Sequence, residues 1–208
     1  MKRHLPLFAV VVMMMVVPAL AESPAPTSQL KLIPQPKEVA LRDGNFRVKS
    51  NTKILVEFGH QEEDRIAAET LAEEIHDQSG LIVSIGGEKP ASKQSRRTIV
   101  LSRLDDRRVK AFLANRGLKA DAIGDQGYLL FSDRLHLIVA ANTGQGLFYG
   151  VQTLRQLIHE DDGNLVCPAV SIRDWPNLEW RAVRDDSDRG PISTEEFMQR
   201  QIATLSSR

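Results

Sequence analysis

The chain has 208 residues, with 27 Lys and Arg against 27 Asp and Glu, 42% hydrophobic residues and one cysteine. That is a globular balance, large enough for one good core, and it leaves no basic field to argue for nucleic acid as a partner. A lone Cys167 excludes an internal disulfide; His60, His76, His136 and His159 are scattered singly and no H-E-x-x-H occurs, so neither a metal nor any other cofactor is expected.

Residues 1–21 read as a secretory signal peptide. Lys2, Arg3 and His4 make a positive start, Leu5 to Val17 is an apolar run broken only by Pro6, and Ala19-Leu20-Ala21 is a cleavage site. The run falls short of the roughly 20 apolar residues of a spanning helix, and no cysteine follows it for a lipid anchor. The expectation is a secreted or periplasmic protein beginning at Glu22, with no membrane anchor after cleavage. Loss of Lys2 and Arg3 with the leader leaves a small excess of acids. Residues 22–30, rich in Pro, Ser and Thr, read as a disordered tether.

A domain over residues 31–172 follows. Pro34 and Pro36 hold an extended lead-in. Asp43-Gly44 is a turn signal that would make a hairpin of Val39–Leu41 and Phe46–Lys49. Lys53–Phe58 is rich in β-formers. Gln61–Ser79 is a helix with Ile66, Ala67, Thr70, Leu71 and Ile75 on its apolar face, and Gly80 stops it. Its row of glutamates is a solvated face rather than a carboxylate site. Leu81–Ile85 and Thr98–Leu101 read as strands. Asp105–Asn115 is a helix turning Val109, Phe112 and Leu113 inward. Gln126–Ser132 and Leu135–Ala141 are joined so tightly at Asp133-Arg134 that they should form an antiparallel hairpin.

The stretch from Ala140 to Ile158 is the helix around which the domain is organised. Asn142 or Thr143 can cap it. Leu147, Val151, Leu154 and Ile158 recur at helical spacing, with Phe148 and Leu157 widening the stripe. Gly146 and Gly150 lie one turn apart near that stripe. Each costs about 1 kcal/mol relative to alanine, so the pair points to a close approach by a sheet or a second helix. Gln152, Arg155 and Gln156 are left for the rim. Gly144-Gln145-Gly146 has the wrong spacing for a dinucleotide fingerprint. Asp161 to Asn164 is a turn, and Leu165–Val170 is a strand with Cys167 as a small buried hydrophobe.

Residues 173–208 read as a link and a single β-α unit. Leu178–Val183 is expected as a strand, and Ser193 with Glu196 as a capping box before a helix bearing Phe197, Met198, Ile202 and Leu205. One such unit buries no core alone. The chain as a whole reads as α+β, a mixed, largely antiparallel sheet with helices packed on it.

Three stretches carry a resemblance. Gly146-Leu147-Phe148-Tyr149-Gly150-Val151-Gln152-Thr153-Leu154 resembles the signature helix of the domain preceding the catalytic barrel in bacterial β-N-acetylhexosaminidases of glycoside hydrolase family 20; family 84-like enzymes carry a similar domain. Leu32-Ile33-Pro34-Gln35-Pro36-Lys37 resembles that domain's "IPxP" opening. Ile172-Arg173-Asp174-Trp175-Pro176 with Trp180-Arg181 is similar to the link into the first barrel strand. The resemblance implies a zincin-like accessory domain without zinc ligands, then the first unit of an incomplete (β/α)8 barrel. It implies removal of terminal β-linked N-acetylhexosamine by substrate assistance, with an N-acetylhexosamine-containing glycan as the partner of the complete enzyme.

The same resemblance makes Arg181 a candidate substrate-binding residue, gripping vicinal hydroxyls with its fixed donors; a rim ion pair with Asp174 or Glu179 is the alternative. Asp185 and Asp188 stand where a barrel would open toward substrate. The family pattern there is close to "L-D-x-S-R-H", whereas this chain has Asp185-Asp186-Ser187-Asp188-Arg189, which leaves family 20 and family 84-like membership both open. A calcium loop at these aspartates lacks its remaining ligands. The family's catalytic Asp-Glu pair has no match, so no catalytic residue is assigned. The chain should hydrolyse nothing by itself, and a free carbohydrate-binding or structural module is the alternative function.

Overall fold

The computed structural model describes residues 30–56, 59–87 and 97–181, with Thr194, Glu195, Phe197 and Arg200 beyond them. The leader, most of the tether, Asp185, Asp188 and the capping pair Ser193 and Glu196 lie outside the described residues. The elements run β1 (Glu38–Arg47), β2 (Lys53–Val56), α1 (Gln61–Ser79), β3 (Ser84–Gly86), β4 (Thr98–Arg103), α2 (Arg107–Ala114), β5 (Tyr128–Ser132), β6 (His136–Ala141), α3 (Gly144–Leu157), β7 (His159–Asp161) and β8 (Asn164–Asp174).

One mixed sheet holds all the strands, in the order β1-β8-β5-β6-β4-β2-β3, with β7 on β8. Pairings β1–β8, β5–β8, β5–β6 and β7–β8 are antiparallel; β2–β3, β2–β4 and β4–β6 are parallel. The parallel half is built by α1 crossing from β2 to β3, and the antiparallel half by the β5–β6 hairpin and the long return strand β8.

Period-two alternation sends the strand side chains to two cores. Ile99 and Leu101 of β4, Leu137 and Val139 of β6 and Leu130 of β5 join α1 and α3 on one face. Val100, Ile138, Leu129 and Phe131 point the other way, onto Val109 and Leu113 of α2 and onto Leu118 and Ile123. β4 and β5 are buried along their whole length because both faces are covered.

Helix α3 is capped by Thr143, whose hydroxyl accepts from the Gly146 amide at 3.2 Å. A Cβ on Gly146 would lie 2.5 Å from the Gly127 carbonyl oxygen and 2.8 Å from that of Asp125. One on Gly150 would run into the Val139 side chain and sit 3.1 Å from the Tyr128 ring. The close approach that the two glycines imply is therefore real: the sheet presses on Gly150, and the loop ahead of β5 presses on Gly146. At the helix start, the buried Arg103 of β4 donates to Asp64 of α1 through Nη2 at 2.7 Å and to the Asn142 carbonyl at 3.2 Å. Burial weighs against that guanidinium's charge, but bonds and attraction from Asp64 and Glu63 outweigh it and raise its pKa. One side chain thus fastens the ends of β4, α1 and β6.

Several expectations are corrected. Asp43-Gly44 is not a hairpin turn: both halves of β1 pair with β8, and the register shift between Leu41 and Asn45 makes the turn residues a bulge. Gly44 supplies the positive φ of 103°. Ile66 is exposed, while Ala67 and Ala68 face the core. Gln152 is buried rather than at the rim; Arg155 pairs with Glu74 of α1 at 2.6 Å. Of Leu178–Val183, residues 178–181 are irregular rather than a strand, and 182–183 lie outside the described residues. β8 instead runs on to Asp174, where its partners stop: Tyr128 opens β5 opposite Asp174, and Glu38 opens β1 opposite Arg173. Pro176 then lacks the N–H that a ladder would need.

Candidate functional site

The lead-in, α3 and the link converge at one end of the sheet. Gln156 of α3 clasps the backbone of Ile33 from both sides, accepting from its amide at 2.9 Å and donating to its carbonyl at 3.0 Å. The Lys37 amide donates to Asp174 Oδ1 at 3.1 Å. The other oxygen of Asp174 accepts from the Tyr128 hydroxyl at 3.3 Å, which also lies 2.6 Å from Thr153 Oγ1. Burial and the adjacent Asp174 charge push the Tyr128 phenol well above its ordinary pKa, so it stays a neutral donor. The "IPxP" residues therefore brace a helix and a strand end.

The link folds back over this base. Trp175 has Lys37 Nζ and the Arg173 guanidinium each 4.4 Å from its ring. Gln126 bridges the link, donating to the Glu179 carbonyl at 2.8 Å and accepting from Arg181 Nη2 at 2.8 Å. Arg181 also donates to the Leu178 carbonyl at 2.9 Å and lies 5.3 Å from the Tyr149 ring centre. It makes neither the Asp174 nor the Glu179 ion pair among the described residues.

Two clefts flank Arg181 and Tyr149. One of about 340 Å³ reaches Pro34, Lys37, Tyr128, Gln152, Thr153, Asp174 and Leu178. The other, of about 670 Å³, reaches Ile123, Asp125, Gln145, Glu179 and Trp180, a residue that is 87% exposed. Asp174 is the one carboxylate of the first cleft among the described residues, and its oxygens are engaged. The first cleft offers amide, guanidinium and hydroxyl groups to a polar ligand, and the second adds the carboxylates of Asp125 and Glu179. No group of three or more His, Cys, Asp and Glu could hold a metal among the described residues.

Residues 29–175 match the family described as glycosyl hydrolase family 20, domain 2. The chain belongs to that family. A β-hexosaminidase of Porphyromonas gingivalis is 26% identical over 176 residues, 81% of this chain and 20% of that protein. The chitobiase of Flavobacterium johnsoniae superposes with a TM-score of 0.63 at 21% identity, over 86% of this chain and 26% of its own. An exo-β-N-acetylglucosaminidase of Vibrio harveyi, solved with N-acetylglucosamine, gives 0.62 at 17% identity, over 84% and 23%. The chain thus spans about a fifth to a quarter of the length of these relatives.

Of the candidate site residues, Arg181 lies in the link just past the matched residues 29–175, between the two clefts, and Asp185 and Asp188 lie outside the described residues. Sequence reasoning missed Gln126 and the cleft role of Tyr149. Gln126 carries no motif signal at all. Tyr149 stands in the signature helix next to Phe148, where the apolar period hides it.

Proposed function

We propose that this chain is the accessory domain of an exported glycoside hydrolase that removes terminal β-linked N-acetylhexosamine. The domain itself lacks the catalytic Asp-Glu pair. The single observation that carries the reading is the family match over residues 29–175, supported by the β-hexosaminidase of P. gingivalis. In the whole enzyme, Arg181, Asp185 and Asp188 contact the sugar. In the described structure, Arg181 is held by Gln126 and Leu178, a preorganisation consistent with later recruitment to a sugar's hydroxyls. The leader residues 1–21 support export.

The test is hydrolysis of 4-nitrophenyl N-acetyl-β-glucosaminide. The 208-residue chain should release no nitrophenol, and the protein carrying these residues ahead of a barrel should release it. Release by the chain alone refutes the accessory reading. Fractionation of cells expressing the chain with its leader should place it outside the cytoplasm. One observation favours a second reading, a sugar-binding module: Trp180 is exposed beside a cleft. Quenching of tryptophan fluorescence by chitobiose would support it.

A further inference from the structure

We propose that the groove along β1 binds the charged groups of an anionic polysaccharide, with Arg42 and Arg116 as its oxyanion clamp. The ligand class rests on the glycosidase reading; the clamp rests on geometry.

Arg42 projects from the bulge of β1, and Arg116 follows α2. Both guanidiniums bracket one ring: Arg42 lies 5.4 Å and Arg116 5.2 Å from the centre of Phe131, and Arg116 also stacks 3.4 Å from the centre of Phe112. Their hydrogen bonds go to neutral acceptors. Arg42 donates to Ser171 Oγ at 2.9 Å and to the Arg116 carbonyl at 3.0 Å, and Arg116 to the Phe112 carbonyl at 3.2 Å. A guanidinium carries about five N–H donors, so most of both forks remain for a ligand. Neither makes an ion pair among the described residues.

The two like charges line a groove of about 390 Å³ that also takes in Lys37 and the Arg173–Glu38 pair. Burial and the nearby Arg42 lower the Arg116 pKa, partly offset by Asp133. Two of the acids within reach are committed elsewhere. Glu38 is paired with Arg173, and Asp133 bonds the His136 ring and the amides of Leu135 and His136. Asp43, on the bulge itself, is exposed. An oxyanion between the arginines would relieve their repulsion and meet preorganised donors.

A polymer fits better than a free ion because the positive charge continues. Past the bulge, a second cleft of about 830 Å³ is lined by Arg47, Lys49, Arg97 and Arg134, with no acid lining it among the described residues. The first cleft follows β1, which with its bulge lies along the eight residues 166–173 of β8, roughly 26 Å at about 3.3 Å each, on the outer edge of the sheet; the second turns across the sheet end, past Arg134 between β5 and β6 to Arg97 just ahead of β4. The acids of α1 lie on the opposite side of the sheet from Phe131, so a chain of near-zero net charge still presents one basic edge.

The test is retention of the 208-residue chain on immobilised dextran sulfate at neutral pH, with neutral dextran as the blank. Retention on the sulfated resin alone is expected, with Arg42→Gln/Arg116→Gln eluting at about twofold lower salt. Arg42→Gln by itself should shift elution in the same direction, so the result does not depend on how Arg116→Gln folds. Arg107→Gln/Arg108→Gln removes the same charge from an exposed helix start and should elute as the parent does. No retention of the parent overturns the proposal, as does an equal shift in the Arg107/Arg108 variant, which would mean net charge alone. Release by inorganic sulfate well below the ionic strength at which chloride releases the chain would mean a small-anion site and overturns the polysaccharide. Because retention is read without hydrolysis, failure of the glycosidase reading and failure of the clamp remain distinguishable.

Discussion

Gly146→Ala should destabilise the domain although alanine is the better helix former. The new methyl would lie 2.5 Å from the Gly127 carbonyl oxygen, 2.8 Å from that of Asp125 and 3.1 Å from the Ala141 Cβ. Two of these are backbone atoms, and they belong to the segment that Thr143 and Asn142 tie to the helix by bonds of 2.5 and 2.8 Å to Asp125 and Gly124. Neither side can withdraw cheaply. Overpacking costs about 1–3 kcal/mol and the rigid contacts put it near the top of that range, while helix propensity returns about 1 kcal/mol, leaving a net loss of about 2 kcal/mol. For a domain of this size that lowers Tm by about 4–8 °C. Circular dichroism melts of parent and variant measure it. The segment that must move carries Gln126, so the variant should also loosen Arg181, seen as altered emission from the neighbouring Trp180. An unchanged or raised Tm for Gly146→Ala would refute the claim that the backbone of Asp125 and Gly127 presses on this helix face.

Asp64→Asn should cost about 3 kcal/mol in urea unfolding, because it takes the buried carboxylate from the Arg103 charge and leaves the exposed Glu63 as its counter-ion. Glu63→Gln, at an exposed carboxylate on the same guanidinium, should cost under about 1 kcal/mol. Burial pushes the Cys167 thiol up to about 12, so the folded state keeps a proton that the unfolded chain loses from about pH 8.5. Stability should therefore be full below that pH and decline as pH rises toward 12; the raised Tyr128 phenol adds to the decline above about pH 10, and Cys167→Ala should flatten the thiol's part of the urea-midpoint profile. At the acid end, burial would raise the Asp133 pKa, but the Leu135 and His136 amides and the His136 ring outweigh it and hold the group below the ordinary carboxylate range. Its contribution is present above about pH 4 and lost as pH falls through the folded value, so Asp133→Asn should reduce the acid sensitivity of the melt.

What the sequence settled by itself was local and periodic. The bounds of α1, the Gly80 stop, the β5–β6 hairpin, the long apolar stripe of α3 and the inward Cys167 all follow from spacing, caps and turn residues acting within a few positions of one another. The two glycines of α3 went further, since their cost is understandable only with a neighbour pressed against them. The tertiary structure decided the rest. Asp43-Gly44 has the composition of a hairpin turn, yet it became a bulge because β8 is long enough to pair with both flanking halves. Gln152 is polar and Ile66 apolar, but how each face packs, not its composition, buried the first and exposed the second. The carboxylate of Asp64 looks like one more member of an acidic row until Arg103, far along the chain, meets it in the core. The clefts around Arg181 and the arginine pair on Phe131 are assembled from the lead-in, the sheet, a helix end and the link. Such sites have no period to read, because the contacts that make them join residues whose order along the chain says nothing about their distance.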